Sequence, residues 1–318
     1  MLRHLGSRLG GNALLVLALS FLMYGILGLM PGDPLDAMLA ADPRLTAEDV
    51  ARLKAVYGLD KPLTERYIHW LKSAFHGDLG YSRQFNKPVM DVLWPHLKAS
   101  LLLMLPSFIL ALAASLALAL CAVARPGGPV DWIARTLAVL SIAVPTFWLG
   151  LLLLLVFAVS LNWLPGSVLQ VPPDAPWTDK ISAYVLPVAT LAFGMAGGYL
   201  RYLQGSLAAV LPMPFMRTAL AKGAPPRRVL FRHGLRNAAL PFVTVVALSF
   251  GGLFSGALIT ETLFGITGLG RMIYDAIAGN DYNLALAGLL LATICVLLSN
   301  LAADAAYGWL DPRIRYAG

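Results

Sequence analysis

The sequence predicts an all-α membrane protein with six transmembrane helices, and three observations lead there. Hydrophobic residues make up 58% of the 318-residue chain and charged residues only 13%, with a mean hydropathy of +0.71. Surface scales too steeply with size for a soluble fold of this length to hide that much apolar area. The apolar residues also come in runs that meet the ~20 residues a helix needs to cross a hydrocarbon layer about 30 Å thick. Finally, the polar residues gather between the runs. Lipid offers no partners to free backbone groups, so the runs are expected as helices.

The first run extends from Gly11 to Met30, behind Arg3 and Arg8. A cleavable signal peptide has a similar layout. This run is long for a signal core, however, and Met30-Pro31-Gly32-Asp33-Pro34 is not a small-x-small cleavage site, so residues 1–31 are expected to hold a retained span. Residues 32–98 are polar and mixed in charge, with acids and bases in balance. They are expected as a small extracytoplasmic helical subdomain. It would include a short helix from Asp42 to Leu59, N-capped by Thr46 and with Asp49 in its first turn. Five further apolar runs follow at 99–123, 133–161, 185–208, 236–260 and 284–308, so that 99–308 forms a five-helix core and 309–318 a tail.

Short connections set the orientation. The segment between the second and third runs carries Arg125 and Arg135, and the chain ends with Arg313 and Arg315. The loop between the fourth and fifth runs holds Arg217, Lys222, Arg227, Arg228, Arg232 and Arg236. The two shorter loops of the opposite side hold only Lys180 and Arg271. Both termini are therefore expected in the cytoplasm and the 32–98 subdomain outside.

The basic loop, 209–241, reads as a helical elbow. A first short helix ends near Gly223, where a residue without Cβ can take a left-handed turn. A second begins at Pro225-Pro226, since a first turn tolerates proline. Met216, Ala219 and Leu220 give the first helix an apolar face, and Val229 and Leu230 contribute one on the second. A greasy side with a cationic rim suits docking into a cleft. Anionic lipid is the competing partner, and Arg232 and Arg236, closest to the bilayer, suit it better than Arg217 and Lys222.

Several chemistries find no residues. No glycine directly precedes a lysine, which excludes a P-loop. His69, His76 and His96 fall at spacings that suit no single helix face, and Cys121 and Cys295 sit in apolar runs as small hydrophobes. Neither a catalytic triad nor a carboxylate pair is visible. In the outer loop 261–283, Glu261 and Thr262 lie at the end of the fifth run, and Gly265, Gly268 and Gly270 make the following turn compact. Arg271 and Asp275 are spaced to pair with each other on a helix.

The elbow, Arg217-Thr218-Ala219 through Gly223 to Arg236-Asn237-Ala238-Ala239-Leu240-Pro241, resembles the ATPase-docking loop of ABC importer permeases, in the wording of their peptide-permease branch. Pro31–Pro34, Tyr57–Leu63, Gly77-Asp78-Leu79-Gly80 and Phe147-Trp148-Leu149-Gly150 agree, as do Glu261–Arg271 and Leu310–Arg315, in order along nearly the whole chain. Ile266-Thr267 stands where the branch commonly has Trp-Pro, and Leu211–Pro214 precedes the elbow where charges are usual.

The resemblance implies a type I ABC importer permease fold in a bacterial inner membrane and no catalysis in this chain. Partners would be a second permease subunit, expected as a heterodimer, two ATPase subunits carrying ATP and magnesium, and a periplasmic binding protein. No nucleic-acid partner and no cofactor of the chain's own are expected. ATPase docking would fall on Met216, Arg217, Thr218, Ala219, Leu220, Lys222, Gly223, Arg227 and Arg228. The periplasmic gate would comprise Glu261, Thr262, Phe264, Gly265, Gly268, Gly270 and Arg271. Di- or oligopeptides are the implied cargo, with nickel chelates or glutathione as alternatives. The alternative of another class is an ATP-independent secondary transporter, which an inverted repeat or an acid–base relay within the spans would favour.

Overall fold

The structure, a computed structural model, describes residues 2–29, 61–252 and 257–310. The expected helix over 42–59, the Pro31–Pro34 motif, most of Tyr57–Leu63 and the tail from Asp311 lie outside the described residues.

Helix α1 (Leu2–Gly28) carries the first apolar run. Then come α2 (Leu63–Phe75) and a two-stranded antiparallel hairpin, β1 (Tyr81–Ser82) and β2 (Lys87–Pro88). The hairpin leads directly into α3 (Val89–Ala124). Its 36 residues rise about 54 Å, more than a bilayer core needs, so the expected span at 99–123 is the inner part of a longer rod. Helix α6 (Trp177–Val210) is similarly long, with 34 residues. These two rods make the most extensive helix contact among the described residues.

The run at 133–161 departs from the expected single straight helix. Helix α4 (Pro129–Ala143) stops, and α5 (Thr146–Leu153), continued by a π-helical stretch over Leu154–Ser160, leaves at 106°. Pro145 is the cause. It has no N–H to give and it forces Val144 into the extended region, at φ −88 and ψ 120. The fifth expected run carries α9 (Arg236–Gly252), 17 residues long. Between α6 and α9 lie α7 (Pro214–Ala221) and α8 (Pro226–Val229), and a π-helical stretch, Leu230–Leu235, joins α8 to α9. Helices α10 (Leu258–Leu263), α11 (Leu269–Ala278) and α12 (Tyr282–Leu310) complete the described chain. Among the described residues four helices are long and apolar enough to cross a membrane, or five if the bent pair is one span.

Among the described residues, four apolar cores hold the helices together. One, at the start of α3, gathers Val89, Val92 and Leu93 with Leu269 and Met272 of α11 and Leu284 of α12. Another, at its far end, joins Ala119 and Ala122 to Leu203 and Leu207 of α6 and to Met216 and Val229. Close backbone approach makes the crossing of α4 and α6 possible: a Cβ on Gly197 would lie 1.8 Å from Ser141 Oγ and 3.0 Å from the Ala138 carbonyl oxygen.

Gly197→Ala is therefore expected to overpack this crossing at a cost of about 1–3 kcal/mol. Gly198→Ala, with nothing within 4 Å of its added Cβ, is expected to be neutral or to stabilise the helix by up to about 1 kcal/mol. Thermal unfolding of the two purified variants in detergent checks the difference.

Candidate functional site

The elbow forms as its glycine and prolines dictate. Pro214 opens α7, where its missing N–H costs nothing. The helix ends in a Schellman turn. Gly223 N–H donates to Leu220 O at 2.9 Å and Ala224 N–H reaches back to Ala219 O at 3.3 Å, with Gly223 at φ +82. Pro226 then begins α8.

The apolar face expected on the first helix divides in two. Met216, 3% exposed, turns inward with Val229 into the core at the end of α3, whereas Leu220 is 48% exposed and Ala219 half-buried. The eight-residue α7 lies across the end of the bundle, and Met216 sits over Gly234, where a Cβ would lie 3.4 Å from Met216 Cε. Met216, expected among the docking residues, is thus packed into the bundle within this chain. Phe215, Leu220 and Phe231 face outward, beside exposed Arg217, Thr218, Lys222, Arg227 and Arg228. Among the described residues none of these four cations is paired with an acid.

The outer loop is built around Glu261, which is wholly buried. Its Oε1 accepts from Ser100 Oγ at 2.6 Å and from the Ala257 N–H at 3.3 Å. Its Oε2 accepts from the Arg271 N–H at 2.9 Å. Ser100 Oγ in turn accepts from the Leu269 N–H at 2.7 Å. Two of these amides belong to the first turn of α11, which has no intrahelical partners for them. Gly268 and Gly270 make room for the carboxylate: a Cβ on Gly268 would lie 2.3 Å from Glu261 Cδ, and one on Gly270 3.1 Å from Oε2.

The neighbouring motif residues meet here as well. Gly265 takes φ +67, and a Cβ on it would lie 2.2 Å from Ser167 Oγ, so only glycine fits. The Phe264 carbonyl accepts from the Val168 N–H at 2.9 Å. Gly150, the last residue of Phe147-Trp148-Leu149-Gly150, packs against Leu263, whose Cδ2 would lie 2.7 Å from an added Cβ. Phe264 and Ile266 are buried with Leu103 and Leu186, whereas Thr262 and Thr267 are exposed. Arg271 makes the expected i,i+4 pair, with Nε 3.6 Å from Asp275 Oδ2.

Three positions escape the sequence reading. Ser100 is one serine in an apolar run, and its partner is 161 residues away. Asp281 is buried at the start of α12, where Oδ2 accepts from Ser82 Oγ at 2.5 Å and from the Gln84 N–H at 3.1 Å, and Oδ1 from the Leu284 N–H at 3.3 Å. An aspartate directly before an apolar run is an N-cap signal that could have found it. Asp131 pairs with Arg135 through two bonds of 2.9 Å and also accepts from the Gly127 N–H at 3.0 Å. The histidines serve locally: His96 Nδ1–H donates to Val92 O at 2.7 Å and His76 Nδ1–H to Lys72 O at 2.8 Å. Among the described residues no group of three His, Cys, Asp or Glu side chains is disposed to hold a metal.

Residues 111–316 match the family described as binding-protein-dependent transport system inner membrane component, and residues 1–104 match the N-terminal family of such membrane components. The chain is 34% identical over 304 residues to the oligopeptide transport system permease protein AppB of Bacillus subtilis, covering 95% of this chain and 96% of that one. It is 36% identical over 293 residues to a probable peptide ABC transporter permease protein, y4tP, of Sinorhizobium fredii, covering 92% of each. It is 34% identical over 316 residues to the glutathione transport system permease protein GsiC of Escherichia coli, covering 99% of this chain and all of that one.

Gly268→Ala is expected to drive the Glu261 carboxylate off its amide donors, costing about 1–3 kcal/mol. Thr267→Ala, at an exposed neighbour, is expected to be neutral. Thermal unfolding in detergent, with hydrogen exchange at the Leu269 and Arg271 amides, reads both effects.

Proposed function

The chain belongs to the binding-protein-dependent transport system inner membrane component family, and on that premise we propose that it imports di- or oligopeptides delivered by a periplasmic binding protein. As a permease subunit of an ABC importer it is not an enzyme, and ATP hydrolysis falls to separate ATPase subunits. It has six spans with both termini in the cytoplasm, an outer subdomain over 32–98 and a five-helix core over 99–308. A second, related permease subunit completes the pathway as a heterodimer in the bacterial inner membrane.

One observation carries this reading. Helix α3 touches the outer loop at Ser100 and shares the elbow's core at Ala122, and between those residues it rises about 33 Å, close to the thickness of a hydrocarbon core. Elbow and outer loop thus lie at opposite ends of one rod. The elbow loop holds six cations, against Lys180 and Arg271 in the short loops of the opposite side, which supports its assignment to the cytoplasm. There Arg217, Thr218, Leu220, Lys222, Arg227 and Arg228 meet the ATPase, while Met216 and Ala219 fix the elbow to the spans. Gly223 sets the angle between the two short helices. At the far end Thr262, Phe264, Gly265, Gly268, Gly270 and Arg271, organised by Glu261, border the periplasmic mouth.

Peptide cargo rests on the names of the relatives. The likeness to a glutathione permease supports glutathione as a second cargo. The binding protein, rather than this chain, sets most of the selection.

Reconstitution with the partner subunits tests the reading. Peptide uptake should require ATP and the ATPase subunits, and uptake at full rate without them would overturn it. Gly223→Val should uncouple ATP hydrolysis from uptake, because a β-branched residue at φ +82 strains the turn. Gly223→Asn, which tolerates the left-handed region and whose added Cβ would meet no neighbour within 4 Å, should retain most coupling. Thr262→Cys should react with an impermeant thiol reagent from the periplasmic side in at least one nucleotide state.

A further inference from the structure

Helix α11 is fastened at both ends to a single stretch of chain, Ser82–Ser100. At its start, Ser100 Oγ accepts from the Leu269 N–H and donates to Glu261, which also holds the Arg271 N–H. At its far end Asn280 takes φ +53 and the Asp281 N–H closes the turn onto Ala276 O at 2.8 Å. The Asp281 side chain there holds the hairpin through Ser82 Oγ and the Gln84 N–H. Between these two pins Leu269, Met272 and Ala276 are buried in one core with Val89, Val92 and Leu93.

A lid that swings on its own needs few buried contacts and replaceable hydrogen bonds. This loop has the opposite construction. The partners of both carboxylates are all donors, two hydroxyls and four amides, counting only those named above for Glu261 and Asp281. Opening the loop alone would break the bonds that cross from it to the hairpin and α3, namely Ser100 with Glu261 and the Leu269 N–H, and Ser82 and the Gln84 N–H with Asp281. Both carboxylates and both hydroxyls are buried there, where an orphaned polar group is expensive.

We propose that residues 257–281 do not hinge as an independent lid and instead move with the hairpin and the outer part of α3 as one rigid block, in which Glu261 and Asp281 are positioning residues. Access at the outer mouth then changes when this block shifts against the remaining helices or against the second permease subunit. The inference rests on reading 257–281 as the border of the outer mouth. Its test does not depend on transport, so the two can fail separately. A Thr262→Cys that never reacts would sink the mouth reading and leave the block intact.

The test uses the assembled transporter in lipid nanodiscs, with Cys121 and Cys295 replaced by serine. Spin labels go on Trp94→Cys of α3 and Tyr274→Cys of α11, whose native side chains are 70% and 57% exposed. Pulsed electron–electron distances are recorded without nucleotide and with ATP plus vanadate. One narrow distance, the same in both states, is expected. A distribution that shifts or splits between the states overturns the proposal. Adding Glu261→Gln and Asp281→Asn, which set an amide N–H2 among donors, should broaden the distribution and make it depend on nucleotide. An unchanged narrow distance in that variant would remove the positioning role from the two carboxylates. Should the double variant not assemble, hydrogen exchange in the unsubstituted complex decides. The Leu269, Arg271, Gln84 and Leu284 amides should exchange in one slow class, and faster opening at Leu269 and Arg271 than at the others would contradict a single block.

Discussion

A chain in or beside hydrocarbon has nowhere to put an unpaired amide, and each departure from continuous helix frees several of them. The described residues meet that constraint with three buried acids, Asp131, Glu261 and Asp281. Each takes a backbone N–H where a helix starts or a loop tightens: Asp131 from Gly127, Glu261 from Ala257 and Arg271, Asp281 from Gln84 and Leu284. Only Asp131 has a cation beside it, and Arg135 is itself largely exposed. The other two are stabilised by hydroxyl and amide dipoles, which make stronger hydrogen bonds to a charged acceptor than to a neutral one. The irregular outer loop is possible because these side chains supply acceptors in place of a preceding helical turn. The glycines around Glu261 then follow as a steric consequence, since a carboxylate pressed against backbone leaves no space for a Cβ at position 268.

Much of this was legible in the residue pattern, for local reasons. The elbow's break is chemistry within a few residues: Gly223 accepts positive φ and Pro225-Pro226 restart the helix, so sequence alone locates both short helices. The Arg271–Asp275 pair follows from helical spacing. Ile266-Thr267, in place of Trp-Pro, proves consistent with the loop because position 266 is a core site that needs apolar volume, while Thr267 faces out. What stayed hidden depends on tertiary approach. Periodicity cannot tell that Met216 packs inward while Leu220, four residues on, does not, since that depends on where an eight-residue helix overhangs the bundle. Ser100 carries no local signal at all. The bend at Pro145 is a different case: a proline's restriction of the residue before it is local chemistry, whereas the uniform hydrophobicity of 133–161 reads as one continuous span.

The division of the elbow into an inner and an outer side also decides how force would pass through it. The outer cations contribute at most about 1 kcal/mol each, whether they meet lipid or an acidic rim, and salt weakens them further. Removing a buried side chain such as Met216 costs on the order of 2–5 kcal/mol, because the lost contacts and the cavity add. The attachment of the elbow to the bundle is therefore apolar and strong, and its outer contacts are individually weak and replaceable. A partner that grips the outer side through several such contacts moves Met216 and Val229 before it detaches them from Leu203, Leu207 and Ala122. Those residues sit on α6 and on the end of α3, and α3 continues unbroken to Ser100. Displacement at one end of the rod thus reaches the other without any wire of polar contacts between them.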